Sequence, residues 1–201
     1  MAAISSKRYG MVAILFHWVI AILILTNIGL GWSFDSFSGP DKTAIVNVHK
    51  SIGISVLILS VLRLLWRLMN KPPPLSPWLK PWEKLLATTV HWLFYVFMIV
   101  MPLTGWAMVS ASPKIRINPV TFFGLFNVPA FPYVSTLPHD QMHTAHKLLE
   151  QAHTGYVLWL GYALIVLHLL GAFKHQFFDR DGELGRMIPF LREPAPRSPG
   201  E

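Results

Sequence analysis

Nine histidines and no cysteine stand in this chain of 201 residues. Five of the histidines, His17, His49, His91, His153 and His168, lie inside or at the edge of long stretches free of Asp, Glu, Lys and Arg. A neutral imidazole offers one nitrogen that accepts or ligates and one N–H that donates. Held in an apolar setting, such rings can bind a haem iron or another transition metal, pass protons, or tie helices together by hydrogen bonds. Without cysteine there is no disulfide, thiolate ligand, iron–sulfur cluster or covalent c-type haem, so metal chemistry here rests chiefly on imidazole.

The elements that must hold these rings are read from the charge-free stretches. None of the four charged residue types occurs between Arg8 and Asp35, Lys50 and Arg63, Lys84 and Lys114, or Glu150 and Lys174. A hydrocarbon core of about 30 Å takes roughly 20 apolar residues of α-helix. Helix one is therefore expected at 11–33, helix two at 48–68, helix three at 85–110 and helix four at 148–173. In helix two, Lys50 and Arg63 shorten the charge-free centre and must snorkel or find anionic partners. The composition, 53% hydrophobic and 13% charged with a mean hydropathy of +0.45, departs from soluble proteins in the same direction. Helix one is longer than a signal-peptide core and no small-x-small pattern precedes Asp35, so it is read as a retained span.

The formal net charge of +7 follows topology and does not suggest nucleic acid. With the N-terminus inside, 12 of the 17 Lys and Arg residues fall on the cytoplasmic side, leaving Lys42, Lys50, Lys114, Arg116 and Lys147 outside. The positive-inside rule then places both termini in the cytoplasm. Lys71 to Pro81 is a stiff proline-rich link. The external segment from Ala111 to Pro138, rich in proline and aromatics, is expected to lie along the membrane surface as a cap. Residues 1–190 make one membrane domain, and the tail at 191–201 has little to bury and is expected to be disordered. There is no internal repeat, phosphate-binding glycine loop, nucleophile elbow or pair of intramembrane carboxylates.

Placed on these helices, the histidines fall at matching depths. His17, early in helix one, and His168, late in helix four, share the cytoplasmic side. His49, opening helix two, and His153, early in helix four, share the external side. His153 and His168 are 15 residues apart, roughly 22 Å along a helix and about 60° in azimuth, so both can face one bundle interior. A low-spin b-type haem needs two neutral imidazole nitrogens on opposite faces of its iron, and facing helices can supply them. Two stacked haems would then lie with edges roughly 10 Å apart, a spacing suited to electron transfer across the bilayer. Interhelical hydrogen bonding and proton or metal transport are the other readings of this pattern, although depth-matched pairs are less expected from either.

The sequence resembles the bacterial cytochrome b561 family of four-helix dihaem membrane proteins. The resemblance is carried by KRYGMVAILFHW at the start of helix one, VHKSIGI opening helix two, VLRLLWRL closing it and HWLFYVFMIVMPLTGW in helix three. FGLFNVP in the external loop and LHLLGAFKHQFFDRDGELGRM at the end of helix four extend it over most of the chain. It implies an all-α integral membrane four-helix bundle of the bacterial inner (plasma) membrane, binding two haem b groups, with both termini cytoplasmic. His17 and His168 would bind the cytoplasmic-side haem, and His49 with a histidine early in helix four the external one. The family spacing between the two helix-four ligands is one residue shorter than here, where position 154 is Thr. His153 remains the best candidate if the helix carries a one-residue bulge or tolerates the changed azimuth. His146 would lie about 33 Å from His168 along the axis, too far for the second site.

Other residues have less specific roles. His91 matches a family histidine outside the usual four ligands, and a packing or hydrogen-bonding role is expected. His175 corresponds to a position associated in the family with quinone, or is an interfacial solvated residue. His139, His143 and His146, at i, i+4 and i+7, share a helix face that could take zinc or copper, though a solvated face is the stronger expectation. Arg63 and Arg67 could pair haem propionates or anchor helix two at the headgroups, and the resemblance favours at least one propionate contact. Lys50, beside His49, is the counterpart at the external haem and could draw an anion toward it.

The resemblance further implies respiratory-chain electron transport between an external one-electron donor, superoxide or a redox protein, and ubiquinone or another quinone. Two functions are carried forward, a superoxide:quinone oxidoreductase and an electron-carrier subunit serving a partner dehydrogenase or periplasmic redox protein. The third, a transporter without redox chemistry, predicts a colourless protein.

Overall fold

The computed structural model describes residues 8–75, 79–112, 119–179 and 182–188. The tail at 191–201, and Lys114 and Arg116 of the external segment, lie outside the described residues. Four helices are long and apolar enough to cross a membrane. They are α1 (Met11–Ser33), α2 (Gly39–Met69), α3 (Pro81–Ser110) and a composite fourth helix. That last helix consists of α4 (His139–Gln151), a π turn at Ala152–Tyr156, α5 (Val157–Phe173) and a second π turn at Lys174–Asp179. The class is all-α as expected, apart from a small hairpin of β1 (Thr121–Phe122) and β2 (Phe126–Asn127).

Helix one has the expected bounds, but the other three begin earlier, at Gly39, Pro81 and His139, not at 48, 85 and 148. Hydropathy marks the part of a helix that suits hydrocarbon, whereas its start is set by residues that tolerate a first turn. Pro40 and Pro81 occupy first-turn positions where no N–H is needed, and Pro138 precedes α4. Asp41, Glu83 and Asp140 lie in first turns, where the helix dipole favours negative charge. At α3 the Lys80 N–H donates to the Glu83 carboxylate at 2.8 Å.

The helices pack in sequence, α1 on α2, α2 on α3, and α3 on α4 and α5. At mid-height Ile20, Val90, Tyr95, Phe97, Met98 and Leu164 form the core. Gly161 lets the Phe97 ring lie against α5, because a Cβ there would run into it. Outward the surface is apolar, with Leu15, Ile22, Leu25, Ile58 and Val166 exposed. Only 11% of the most apolar window of the first and fourth helices is fully buried within the protein, so lipid must cover the apolar side chains left exposed.

The two ends of the bundle are finished differently. At the hairpin end, Ser51 Oγ bonds the Asn47 and Thr121 carbonyls at 2.9 and 3.1 Å and accepts the Phe123 N–H at 2.9 Å. Ser110 Oγ accepts the Phe131 N–H at 2.8 Å, and Trp106 donates to the Pro129 carbonyl at 2.9 Å. These bonds lay the aromatic segment over the bundle as a cap. At the other end, where the first and last described residues lie, residues beyond α5 fold back over the start of α1. Arg186 is 3% exposed and donates to both Glu183 oxygens at 2.8 and 3.0 Å and to the Pro74 carbonyl at 2.8 Å. Its guanidinium lies 5.6 Å over the Tyr9 ring, and Trp18 donates to the Met187 carbonyl at 3.0 Å.

Candidate functional site

Two histidine clusters lie at opposite ends of the bundle, separated by the core. At the hairpin end, His49 from α2 faces His153 from the π turn, with ring centroids 6.3 Å apart. His49 Nδ1 lies 3.1 Å from the Asn27 carbonyl. His153 Nδ1 lies 3.0 Å from the Met101 carbonyl and 3.1 Å from Thr104 Oγ1, whose own proton goes to that same carbonyl at 2.8 Å. Because a carbonyl only accepts, both rings carry their proton on Nδ1, and in the neutral tautomer Nε2 keeps a free lone pair. This is the arrangement in which a second hydrogen bond orients an imidazole for a metal.

A cavity of about 450 Å³ opens beside these rings, lined by His49, His153, Asn27, Lys50, Glu150 and apolar side chains. Its size lies within the usual range for cofactor sites. Glycine shapes it at one point: a Cβ at Gly105 would lie 2.7 Å from His153 Cε1, whereas one at Gly31 would make ordinary contact, 3.8 Å from His49 Cε1. Asn27 Oδ1 is buried without a hydrogen-bond partner. A buried carboxamide oxygen that finds no partner in the protein marks a place completed by something else.

At the terminal end, His17 of α1 and His168 of α5 stand 6.0 Å apart between ring centroids. Two imidazoles on opposite faces of one iron, each with a metal–nitrogen bond of about 2.0 Å, bring their centroids to roughly 6.3 Å. Both pairs stand at the separation such ligation needs. His91 of α3 meets His168 edge-on at 5.9 Å, and Phe94 does so at 5.5 Å. His91 thus enters the cluster by ring packing, as the sequence suggested. Arg63 reaches from α2 to within 3.4 Å of His17 Nδ1 and lies 5.7 Å over the Tyr95 ring. Arg67 lies 5.8 Å over both Trp92 and Tyr95.

The one-residue excess between His153 and His168 has a structural counterpart. The π turn at Ala152–Tyr156 absorbs an extra residue within a continuing helix and brings His153 opposite His49. His175 lies in the second π turn, with Nδ1 3.1 Å from the Asp179 carboxylate. Lys174 pairs with Asp179 and, at 2.8 Å, with Glu83. The histidines of α4 do not converge. His146 Nδ1 bonds the Met108 carbonyl at 2.9 Å, His139 and His143 are exposed, and among the described residues no group of three or more His, Cys, Asp or Glu could hold a metal ion.

Sequence reasoning missed Asn27, Thr104 and Gly105. Each left a trace, since Asn27 is the only carboxamide in the first charge-free stretch and Thr104 and Gly105 follow Pro102 inside an apolar helix.

The prokaryotic cytochrome b561 family matches residues 8–190. "Cytochrome b561 homolog 2" of Escherichia coli K12 is 30% identical over 190 residues, covering 92% of this chain and 93% of that protein. "Probable superoxide oxidase CybB" of Yersinia pestis is 28% identical, covering 92% and 98%, and "Cytochrome b561 homolog 1" of E. coli K12 is 26% identical, covering 91% and 98%.

Proposed function

The chain belongs to the prokaryotic cytochrome b561 family, whose members carry out membrane electron transfer with b-type haem, and from that premise we propose that it binds two haems. His17 and His168 hold one, His49 and His153 the other. The observation that carries this reading is the pair of opposed imidazoles at each end, with centroids 6.0 and 6.3 Å apart. When bound, each haem supplies a one-electron couple between ferric and ferrous iron.

The residues around the sites do the rest. The carbonyls of Asn27 and Met101 hold the two hairpin-end rings by Nδ1, which would leave each Nε2 available to a haem iron. The apolar core between the clusters excludes water. Lys50, which lines the hairpin-end cavity, gives that end a positive charge attractive to an anion. With the termini in the cytoplasm, the hairpin end faces the external compartment, and electrons pass inward to quinone near His175. Arg67, over the Trp92 and Tyr95 rings, would pair a propionate of the terminal-end haem, while Arg63 stands beside His17.

The donor we favour is superoxide, because a relative bears the name of a superoxide oxidase and an anion is what Lys50 would attract. The second reading, an electron carrier fed by a protein, draws on the cap, where Phe123, Leu125, Phe126 and Tyr133 are exposed. A reduced-minus-oxidised spectrum with a pyridine haemochrome count tests the cofactors: two b-type haems per chain are expected, and a colourless protein refutes the proposal. His17→Ala or His168→Ala should remove one haem and leave most of the other. Stopped-flow mixing with superoxide separates the donors, with rapid haem reduction expected and its absence favouring a protein donor.

A further inference from the structure

The two histidine pairs differ in what stands behind them. At the hairpin end both Nδ1–H groups face carbonyl oxygens, at 3.1 Å for His49 and 3.0 Å for His153. A ring that donates to a carbonyl is a more basic ligand, and a more basic ligand favours ferric iron. The charged side chains lining that cavity, Lys50 and Glu150, have opposite signs.

At the terminal end neither His17 nor His168 bonds a carbonyl among the described residues. Behind His17 Nδ1, at 3.4 Å, stands the guanidinium of Arg63, a group with donors only and a permanent positive charge. Arg67 shares the Tyr95 ring with it. The carboxylate of Glu83 at this end is taken up by Lys174. A positive charge held close to a ligand disfavours the extra positive charge of ferric iron and so favours ferrous.

We propose that Arg63 is a positioning residue for redox potential, making the haem of His17 and His168 the higher-potential centre of the two. The proposal rests on the two-haem reading given above. With haem held by each pair, one electron would leave the iron held by His49 and His153, which is thereby oxidised, and pass to the iron held by His17 and His168, which is reduced, with no bond made or broken. The direction of travel is thereby set by side chains at one end, whichever donor feeds the other.

Redox titration of the purified protein, followed in the haem absorption bands, tests this. Two one-electron components are expected. Arg63→Gln should lower the higher-potential component by about a tenfold change in its ferric/ferrous ratio, or 59 mV, leaving the other in place, and Arg63→Lys should restore most of the loss. If the glutamine variant fails to load haem, Arg63→Met offers a neutral chain of similar reach for the same measurement. A higher component that stays still, moves upward, or moves together with the lower one overturns the inference. An upward move would mean that the guanidinium stabilises a deprotonated His17 ring. A haem count accompanies each titration: fewer than two haems in the unaltered protein defeats the two-haem reading, whereas two haems with no shift defeats only the role of Arg63.

Discussion

His153 is held by three local features, and each can be removed separately. Its Nδ1–H is shared between the Met101 carbonyl and Thr104 Oγ1, its backbone lies in a π turn, and its ring occupies the space a side chain at 105 would need. Gly105→Ala puts a methyl group 2.7 Å from His153 Cε1, well inside van der Waals contact, so the ring must move away from His49. The haem count should fall from two to one in this variant and in His153→Ala, but stay at two in His146→Ala, whose ring bonds Met108 and lies outside the cluster. A Gly105→Ala protein with both haems would show that the ring has another place to go. His17, His49, His91, His153 and His168 were visible in the sequence because imidazole in an apolar stretch is rare and costly. Asn27, Thr104 and Gly105 left only faint traces, because the first and last act through a backbone carbonyl and a missing Cβ, whose partners residue type does not reveal.

At the scale of elements, hydropathy located the spans and misjudged where helices begin. The first turns of α2, α3 and α4 are polar and proline-started, and a polar turn outside hydrocarbon contributes nothing to a hydrophobic window. The register within the fourth helix was partly legible. The spacing of 15 residues called for a bulge or a changed azimuth, and only the backbone could decide for the π turn at Ala152–Tyr156. If that turn exists to absorb one residue, deleting Gly155 should convert it to regular α-helix and keep His153 opposite His49. The deletion variant is expected to retain two haems, and His153→Ala made in it should still lose one; loss of a haem on deletion alone would mean the π geometry itself aims the ring. Further along, Gly161→Ala drives a methyl into the Phe97 ring. Overpacking of this kind costs about 1–3 kcal/mol, so a lower thermal midpoint is expected with the haem count unchanged, since the clash lies in the core between the sites.

Seen whole, the molecule is a bundle whose interior is arranged for cofactors and whose ends are closed by dissimilar devices, a cap held by serine hydroxyls and a clasp held by Arg186. The four spans were legible from the charge-free stretches, but the clasp was not. Its parts lie far apart in the chain, from Tyr9 through Pro74 to Glu183 and Arg186, and no local pattern joins them. Replacing Arg186 with Met would remove its ion pair with Glu183 and its hydrogen bond to the Pro74 carbonyl, a loss of about 3 kcal/mol by comparison with other broken buried pairs. In a thermal scan of that variant, the absorption of the terminal-end haem should be lost before that of the hairpin-end haem. Tyr9 adds a pH limit to the same device. Burial raises its phenol above the ordinary value of 10.0, with Glu183 acting in the same sense and Arg186, Arg67 and Arg63 opposing. A group whose folded value is raised contributes its stability in full below the unfolded value, and that stability is lost as pH rises through the folded one. The clasp should therefore be indifferent to pH across the neutral range and loosen only above about pH 10. Tyr9→Phe removes the ionising group, so thermal midpoints measured from neutral to strongly alkaline pH should fall less steeply in that variant. Equal slopes in the two proteins would mean that the alkaline limit lies elsewhere in the chain.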